Sequence, residues 1–327
     1  MRKRSGKKRY VVGIDVGGTN LKIAIIGLDG KIYKKLTLPT KKFNYKKKLI
    51  DALASHSKKI INECGLAEKN ILGVGIGTPG LVDSTNGVIH YLVNIKGFKE
   101  VPLKKIIESK LKLPTFLDND VNMMCLGELC YGSGIGAKSL VCVALGTGVG
   151  GGIALEGNLY RGFTLSAGEI GHTTINEDGP LCNCGNKGCL EAYVGNSYIV
   201  KDAIRRIRQN KNSLIVKLVN GKLSHITPKI ISKAAYKGDK TAKDVLRSAG
   251  SHIGVGLANI INVLNPEKIV IGGGVAEAGK ILFDAIKASV RGRAMKVPAA
   301  AVEILKAKLG EDAGLIGAAA LVLKEIG

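Results

Sequence analysis

The 327-residue sequence has no tryptophan, and aromatic residues make up only 4% of it. A binding site built from this chain has few flat faces for stacking a ligand, so recognition must be polar. No apolar run approaches the length of a membrane span, which excludes a transmembrane helix. The basic N-terminus gives way to Val11, Gly13 and Asp15 rather than to an uninterrupted apolar stretch, so it does not read as a secretory signal. The chain reads as cytosolic. Acidic residues are also scarce: 26 Asp and Glu stand against 49 Lys and Arg, a formal charge of +23. Such a surplus attracts polyanions, nucleic acid and nucleotide phosphates among them. Part of it is local, because six of the first nine residues are Arg or Lys and Lys41, Lys42, Lys46, Lys47 and Lys48 form a second run. Runs of this kind are usually solvated tails or helix faces.

What is present is ordinary globular material, 45% apolar and 23% charged, in a chain long enough for two domains. The 44 glycines gather at a few places, which marks tight turns or close approach of backbone to a ligand. One segment, Glu169 to Glu191, carries His172, Cys182, Cys184 and Cys189 among five glycines and prolines that rule out a regular helix or strand. Four such ligands suit one tetrahedral zinc with no open position, a structural rather than a catalytic metal. A disulfide between Cys182 and Cys184 would close a very tight, strained ring, and an intracellular chain would not keep it. Cys64, Cys125, Cys130 and Cys142 are scattered in apolar surroundings as inert core thiols. The chemistry must lie beside the metal, and Glu169 and Glu191 bracket it.

Along the chain, Tyr10–Leu38 reads as strand, glycine turn, strand, Asp29-Gly30 hairpin turn and strand. The turn Asp15-Val16-Gly17-Gly18-Thr19-Asn20 would cradle phosphates with main-chain N–H groups, and Asp15 is placed to hold a magnesium ion or its water. A similar unit recurs from Ser139 to Leu165, with Gly146–Gly152 as its turn, and the pair suggests an internal duplication gripping a nucleotide from both sides. Gly146, Gly148 and Gly151 match a dinucleotide-binding fingerprint only formally, because a strand and not a helix follows them. Helices are expected over Leu49–Cys64, Leu103–Leu111, Val121–Cys130, Ser197–Gly221, Pro228–Ala249, Ser251–Asn265 and Gly314–Ile326, with strands at Ile71–Ile76, Pro114–Leu117 and Lys268–Ile271. Gly272-Gly273-Gly274 at a strand end would let a flat ring such as adenine lie against backbone. Asp118-Asn119-Asp120, where a strand enters a helix, is well placed for chemistry, although Asp and Asn also cap helices routinely.

These features together resemble the ROK family of sugar kinases and repressors, most specifically in Glu169-x-Gly171-His172 followed by Cys182-x-Cys184-Gly185-x-x-Gly188-Cys189-x-Glu191, the pattern of the bacterial glucokinase branch. The resemblance covers the chain from Tyr10 onward. It implies a two-lobed α/β fold of the actin-like, hexokinase-like ATPase type, built from duplicated ribonuclease H-like domains. The expected lobes are residues 1–118, completed by a C-terminal helix over 314–326, and residues 119–313. It further implies that Asp15, Gly17, Gly18, Thr19, Asn20 and Lys22 form a first phosphate motif, that Gly146, Thr147 and Gly148 form a second, and that Gly272, Gly273 and Gly274 bind adenosine. Asp120 matches the catalytic base. Asn119, Glu169, His172 and Glu191, with Gly80 and Asn94, match the sugar-binding positions. His172 can ligate zinc through one nitrogen and face the sugar with the other.

The implied reaction moves the γ-phosphoryl group of ATP, with Mg2+, to the 6-hydroxyl of an aldohexose. Glucose is the first expectation; N-acetylmannosamine, N-acetylglucosamine, mannose and fructose stay open, because Asn94-Ile-Lys-Gly-Phe98 stands where the family often has Asn-Leu-Pro-Gly-Trp. The positive charge raises polyphosphate as an alternative donor to test against ATP, although lysine-rich genome composition is the simpler explanation of that charge. A homodimer or higher homo-oligomer is implied, with no membrane and no specific nucleic-acid partner. The rival is a sugar-sensing repressor; Asp15 so near the first residue argues against a preceding helix-turn-helix.

Overall fold

The computed structural model describes residues 9–92, 95–210 and 212–327. Strands β1 (Tyr10–Val16), β2 (Asn20–Gly27) and β3 (Ile32–Pro39) form the expected meander, turned at Asp29-Gly30, and α1 (Lys46–Glu63) follows. Next come β4 (Ile71–Thr78), the short strands β5 (Leu81–Asp83), β6 (Val88–Tyr91) and β7 (Lys99–Val101), helix α2 (Leu103–Leu111), β8 (Thr115–Asn119) and α3 (Asp120–Tyr131). The pattern then restarts with β9 (Leu140–Leu145), β10 (Val149–Leu155) and β11 (Asn158–Leu159). A run of helices follows: α4 (Glu191–Val194), α5 (Asn196–Gln209), α6 (Leu214–Leu218), α7 (Pro228–Tyr236) and α8 (Lys240–Leu264). The chain closes with β12 (Lys268–Gly272), α9 (Lys280–Arg293), α10 (Lys296–Ala301), β13 (Glu303–Lys306) and α11 (Ala313–Ile326).

Two five-stranded sheets have matching orders, β3-β2-β1-β4-β8 and β11-β10-β9-β12-β13, which bears out the duplication. In the first, β1 pairs antiparallel with β2 and parallel with β4, and β4 pairs parallel with β8. In the second, β12 lies parallel between β9 and β13. Parallel strands covered by helices read as near-continuous apolar runs, as in Leu140–Leu145.

The chain divides into two compact units, one holding the chain as far as Ala137 with Gly152–Ala167 and Lys308–Gly327, the other Lys138–Gly151 and Gly168–Ala307. Helix α3, expected in the second lobe, belongs with the first because it packs along α11. That approach is close: a Cβ on Gly317 would run into the Met123 carbonyl. The core of the first unit centres on Ile14, Leu21, Ile23, Leu53, Ile76 and Ile107, and that of the second on Val143, Ile253, Leu257, Ile271 and Ile286. Glu128 of α3 is fully buried and accepts hydrogen bonds from the backbone N–H groups of Ser133, Lys308 and Leu309 at 2.7, 3.2 and 2.8 Å. It ties the helix to the segment that leads into α11.

Some elements differ from expectation. Gly150–Gly152 lie inside β10 rather than in the turn before it. Helix α8 runs unbroken through Gly250, where two helices were expected, and the break falls at Lys237–Asp239 instead. Helix α9 and strand β13 were not anticipated. No helix among the described residues is long and apolar enough to cross a membrane.

Candidate active site

In the first unit, three parallel strands end side by side, with Asp15 of β1 in register with Gly77 of β4 and Gly77 in register with Asp118 of β8. The carboxyl ends of parallel strands are where open α/β sheets bind ligands. Asp15, 17% exposed, has its pKa raised to about 6, first because burial disfavours the charged form; Lys22, at 3.9 Å, pulls it down, while Asp120 and Asp312 push it up. Lys22 Nζ also donates to the Glu311 carbonyl at 2.5 Å. The β1–β2 turn closes through the Gly17 N–H on the Asn20 carbonyl at 2.9 Å and leaves Gly18, Thr19 and Asn20 exposed.

Asp120 opens α3. Burial raises its pKa, against hydrogen bonds from the Val121 N–H and its own N–H. Asn119 is the N-cap: its Oδ1 accepts from the Val121 and Asn122 N–H groups at 2.8 and 3.4 Å, and its Nδ2 donates to the Gly80 carbonyl at 3.4 Å. The capping role weighed from sequence is therefore occupied. Asn94 lies outside the described residues.

In the second unit, the His172, Cys182, Cys184 and Cys189 ligand atoms all lie within 4.8 Å of one another, an arrangement that could hold a metal ion. The Cys184 and Cys189 sulfurs are 3.6 Å apart, and Cys182 Sγ is 3.8 Å from His172 Nδ1. The ring's other nitrogen, Nε2, lies 4.0 Å from a carboxylate oxygen of Glu169, whose side chain is 70% exposed. The loop folds on itself through bridges between Thr174 and Cys189 and between Leu181 and Lys187. Burial, with hydrogen bonding to its sulfur neighbours, pushes the Cys189 thiol up to about 12, and burial also raises Cys182. Cys184, held by the Asn186 N–H, is lowered.

Glu191 Oε1 lies 3.9 Å from Cys182 Sγ, while Oε2 accepts from the Val149 N–H. A Cβ on Gly148 would sit 2.5 Å from Glu191 Oε2, so this glycine makes room for a carboxylate rather than only for a phosphate. Strands β9 and β12 pair with Ala144 opposite Gly272, which puts the Gly146–Gly148 and Gly272–Gly274 turns at neighbouring strand ends. The space above Gly146 and Gly274 is open to 4 Å, room for a ligand against backbone, and Thr147 is exposed beside it. Two groups escaped sequence reasoning, Arg161 and the role of Asp118. Their ion pair spans 43 residues, and no local pattern announces it.

The fold and site together define a class. The chain belongs to the ROK family, whose model matches residues 11–325. It is 39% identical to a glucokinase of Halalkalibacterium halodurans across 97% of this chain and 96% of that protein. The crystal structure of a ROK family glucokinase from Streptomyces griseus, in complex with glucose and AMPPNP, matches with a TM-score of 0.83 at 32% identity, covering 96% of this chain and 99% of that one. A xylose repressor of Caldicellulosiruptor bescii is 29% identical across 97% of this chain and 78% of that protein.

Proposed function

We propose that this protein is an ATP-dependent hexose kinase that phosphorylates glucose at its 6-hydroxyl. The observation that carries the reading is Asp120: a carboxylate at a strand end, at the head of a helix, with its proton affinity raised by burial, as a general base requires. The similarity to glucokinases over nearly the whole chain supports it. Asp120 takes the proton of the 6-hydroxyl as that oxygen bonds to the γ-phosphorus, and the bond to ADP breaks in line. Glu169, His172 and Glu191 hold the remaining hydroxyls, since a carboxylate can accept from two neighbouring hydroxyls at once. Asn119 orients the base by capping its helix. The backbones of Gly17–Asn20 and Gly146–Gly148 take the phosphates, and Gly272–Gly274 takes the adenosine.

Asp15 is the residue to hold Mg2+, which would neutralise phosphate charge; Lys22 neighbours it with a second positive group. The Cys and His cluster fits zinc. In a tetrahedron with Zn–S bonds of 2.3 Å the sulfurs stand about 3.8 Å apart, close to the 3.6 Å between the Cys184 and Cys189 sulfurs here. Zinc would fix the loop and, through His172 Nδ1, aim Nε2 at the sugar.

Asp120→Ala should abolish turnover while calorimetric sugar binding stays near that of the parent; unchanged turnover would remove Asp120 from the mechanism. The likeness to a xylose repressor favours a second reading, a sugar sensor. Tight, sequence-selective DNA binding in a salt titration would favour that reading over the kinase.

A further inference from the structure

The machinery at the end of β8 extends beyond Asp120. Asp118, two residues earlier, has a side chain only 3% exposed. One of its oxygens accepts from the Asn119 N–H and from Asn122 Nδ2, each at 2.8 Å. The other accepts from Arg161 Nε at 2.7 Å. The Asp118 carboxylate therefore holds the residue just before Asp120 and a residue one half-turn after it. Asn122 Oδ1 is buried without a partner, so the Asn122 side chain is held through its nitrogen, by Asp118. Arg161 follows β11, and its carbonyl accepts from the Ala167 N–H at 2.9 Å, which closes the segment between them into a compact loop.

Burying this strand end does not require an ion pair. An apolar residue would fit a buried strand, and exchanging a buried pair for packed apolar groups is often neutral or stabilising. What the pair supplies is a fixed geometry: a planar, charged donor aimed at one oxygen, leaving the other for the backbone and side chain that flank Asp120.

We propose that Arg161 is a positioning residue for Asp120. Acting through Asp118, it holds the first turn of α3 so that the Asp120 carboxylate keeps a single orientation toward the acceptor hydroxyl. The turnover part of this inference rests on the kinase reading above.

The test uses the full chain with Arg161→Ala, Arg161→Lys, Asp118→Asn and the Ala/Asn double variant. A displacement of about 1 Å at a reacting group costs on the order of 100-fold. Arg161→Ala should therefore lose about 10- to 100-fold in kcat, with KM for sugar and ATP and calorimetric sugar affinity within about threefold. Arg161→Lys should fall between. Added guanidinium should restore part of the activity of Arg161→Ala and none to the parent. The double variant should lose no more than the worse single variant, because both break one unit. Independently of turnover, hydrogen exchange at the Val121 and Asn122 amides should quicken in Arg161→Ala.

An unchanged kcat in folded Arg161→Ala, or losses that are fully additive, overturns the inference. If Arg161→Ala does not fold, Asp118→Asn decides, because it removes the buried charge that needs Arg161; an unchanged kcat there overturns it equally. If the parent itself turns over no sugar, the kinase reading has failed, and the exchange readout still decides: unchanged protection at both amides overturns the positioning role.

Discussion

Glu191 Oε2 accepts a hydrogen bond from the Val149 N–H at 2.9 Å, so the last residue of the metal loop is fastened to the glycine turn between β9 and β10. Glu191 and Gly148 thus form one device. Gly148→Ala should raise KM for the sugar by about tenfold or more as well as KM for ATP, because its Cβ would displace a carboxylate whose charged hydrogen bonds are worth about 1.5–3 kcal/mol. A change confined to ATP would mean that the glycine serves the phosphate alone.

Asp15, the proposed magnesium residue, carries a stability cost. Its pKa is raised, so its contribution to stability is fully present below the unfolded value of 3.8 and is lost as pH rises through about 6. Asp15→Asn should therefore stabilise the free protein at pH 7.5 by on the order of 1–3 kcal/mol while weakening magnesium-dependent ATP use. Thermal melting from pH 4 to 8 checks the sign; a variant less stable than the parent at pH 7.5 contradicts it.

Activity should fall on the acid side. As the proposed base, Asp120 must be ionised to accept a proton, and burial raises its pKa, so kcat/KM should decline with a slope of about one as pH drops, with a midpoint above the ordinary Asp value of about 3.9. A limb at or below that value in the parent would exclude a buried carboxylate base.

Metal loading should depend on pH. Two of the three thiols, Cys182 and Cys189, have raised pKa values, so zinc must expel their protons and its affinity should increase from pH 6 to pH 8. Chelation should lower both the melting temperature and the sugar affinity, with zinc restoring them. Cys184→Ala, which removes the exposed ligand, should abolish stoichiometric zinc in metal analysis; full retention would refute the four-ligand site.

Glu128→Ala should destabilise the protein by roughly 2–4 kcal/mol in urea denaturation, since it strips three backbone N–H groups of their acceptor. A loss under about 0.5 kcal/mol, the range of ordinary surface changes, would show that water replaces it.

Much of this was legible in the sequence for physical reasons. Alternating apolar residues with Asp29-Gly30 marked β1–β3, and four candidate metal ligands in a glycine-rich loop marked the cluster without any fold. The misreadings share a cause, which is long-range packing. Gly250 looked like a helix end, yet it lets α8 approach α9, since a Cβ there would lie 2.7 Å from Ala285 Cβ and from the Leu282 carbonyl. Gly148, read from sequence as a phosphate glycine, also makes room for a carboxylate 43 residues on, which no local pattern announces. The partnership of Arg161 with Asp118 leaves no local signal, and only the folded chain brings the two together.

The most direct test of the account is a coupled ADP-release assay with magnesium-ATP across hexoses and N-acetylated amino sugars, using zinc-replete protein. The account predicts glucose-dependent ADP release, with glucose preferred over mannose, fructose, N-acetylglucosamine and N-acetylmannosamine. Preference for an N-acetylated sugar would keep the mechanism and replace the substrate. No turnover with any sugar would contradict the kinase assignment.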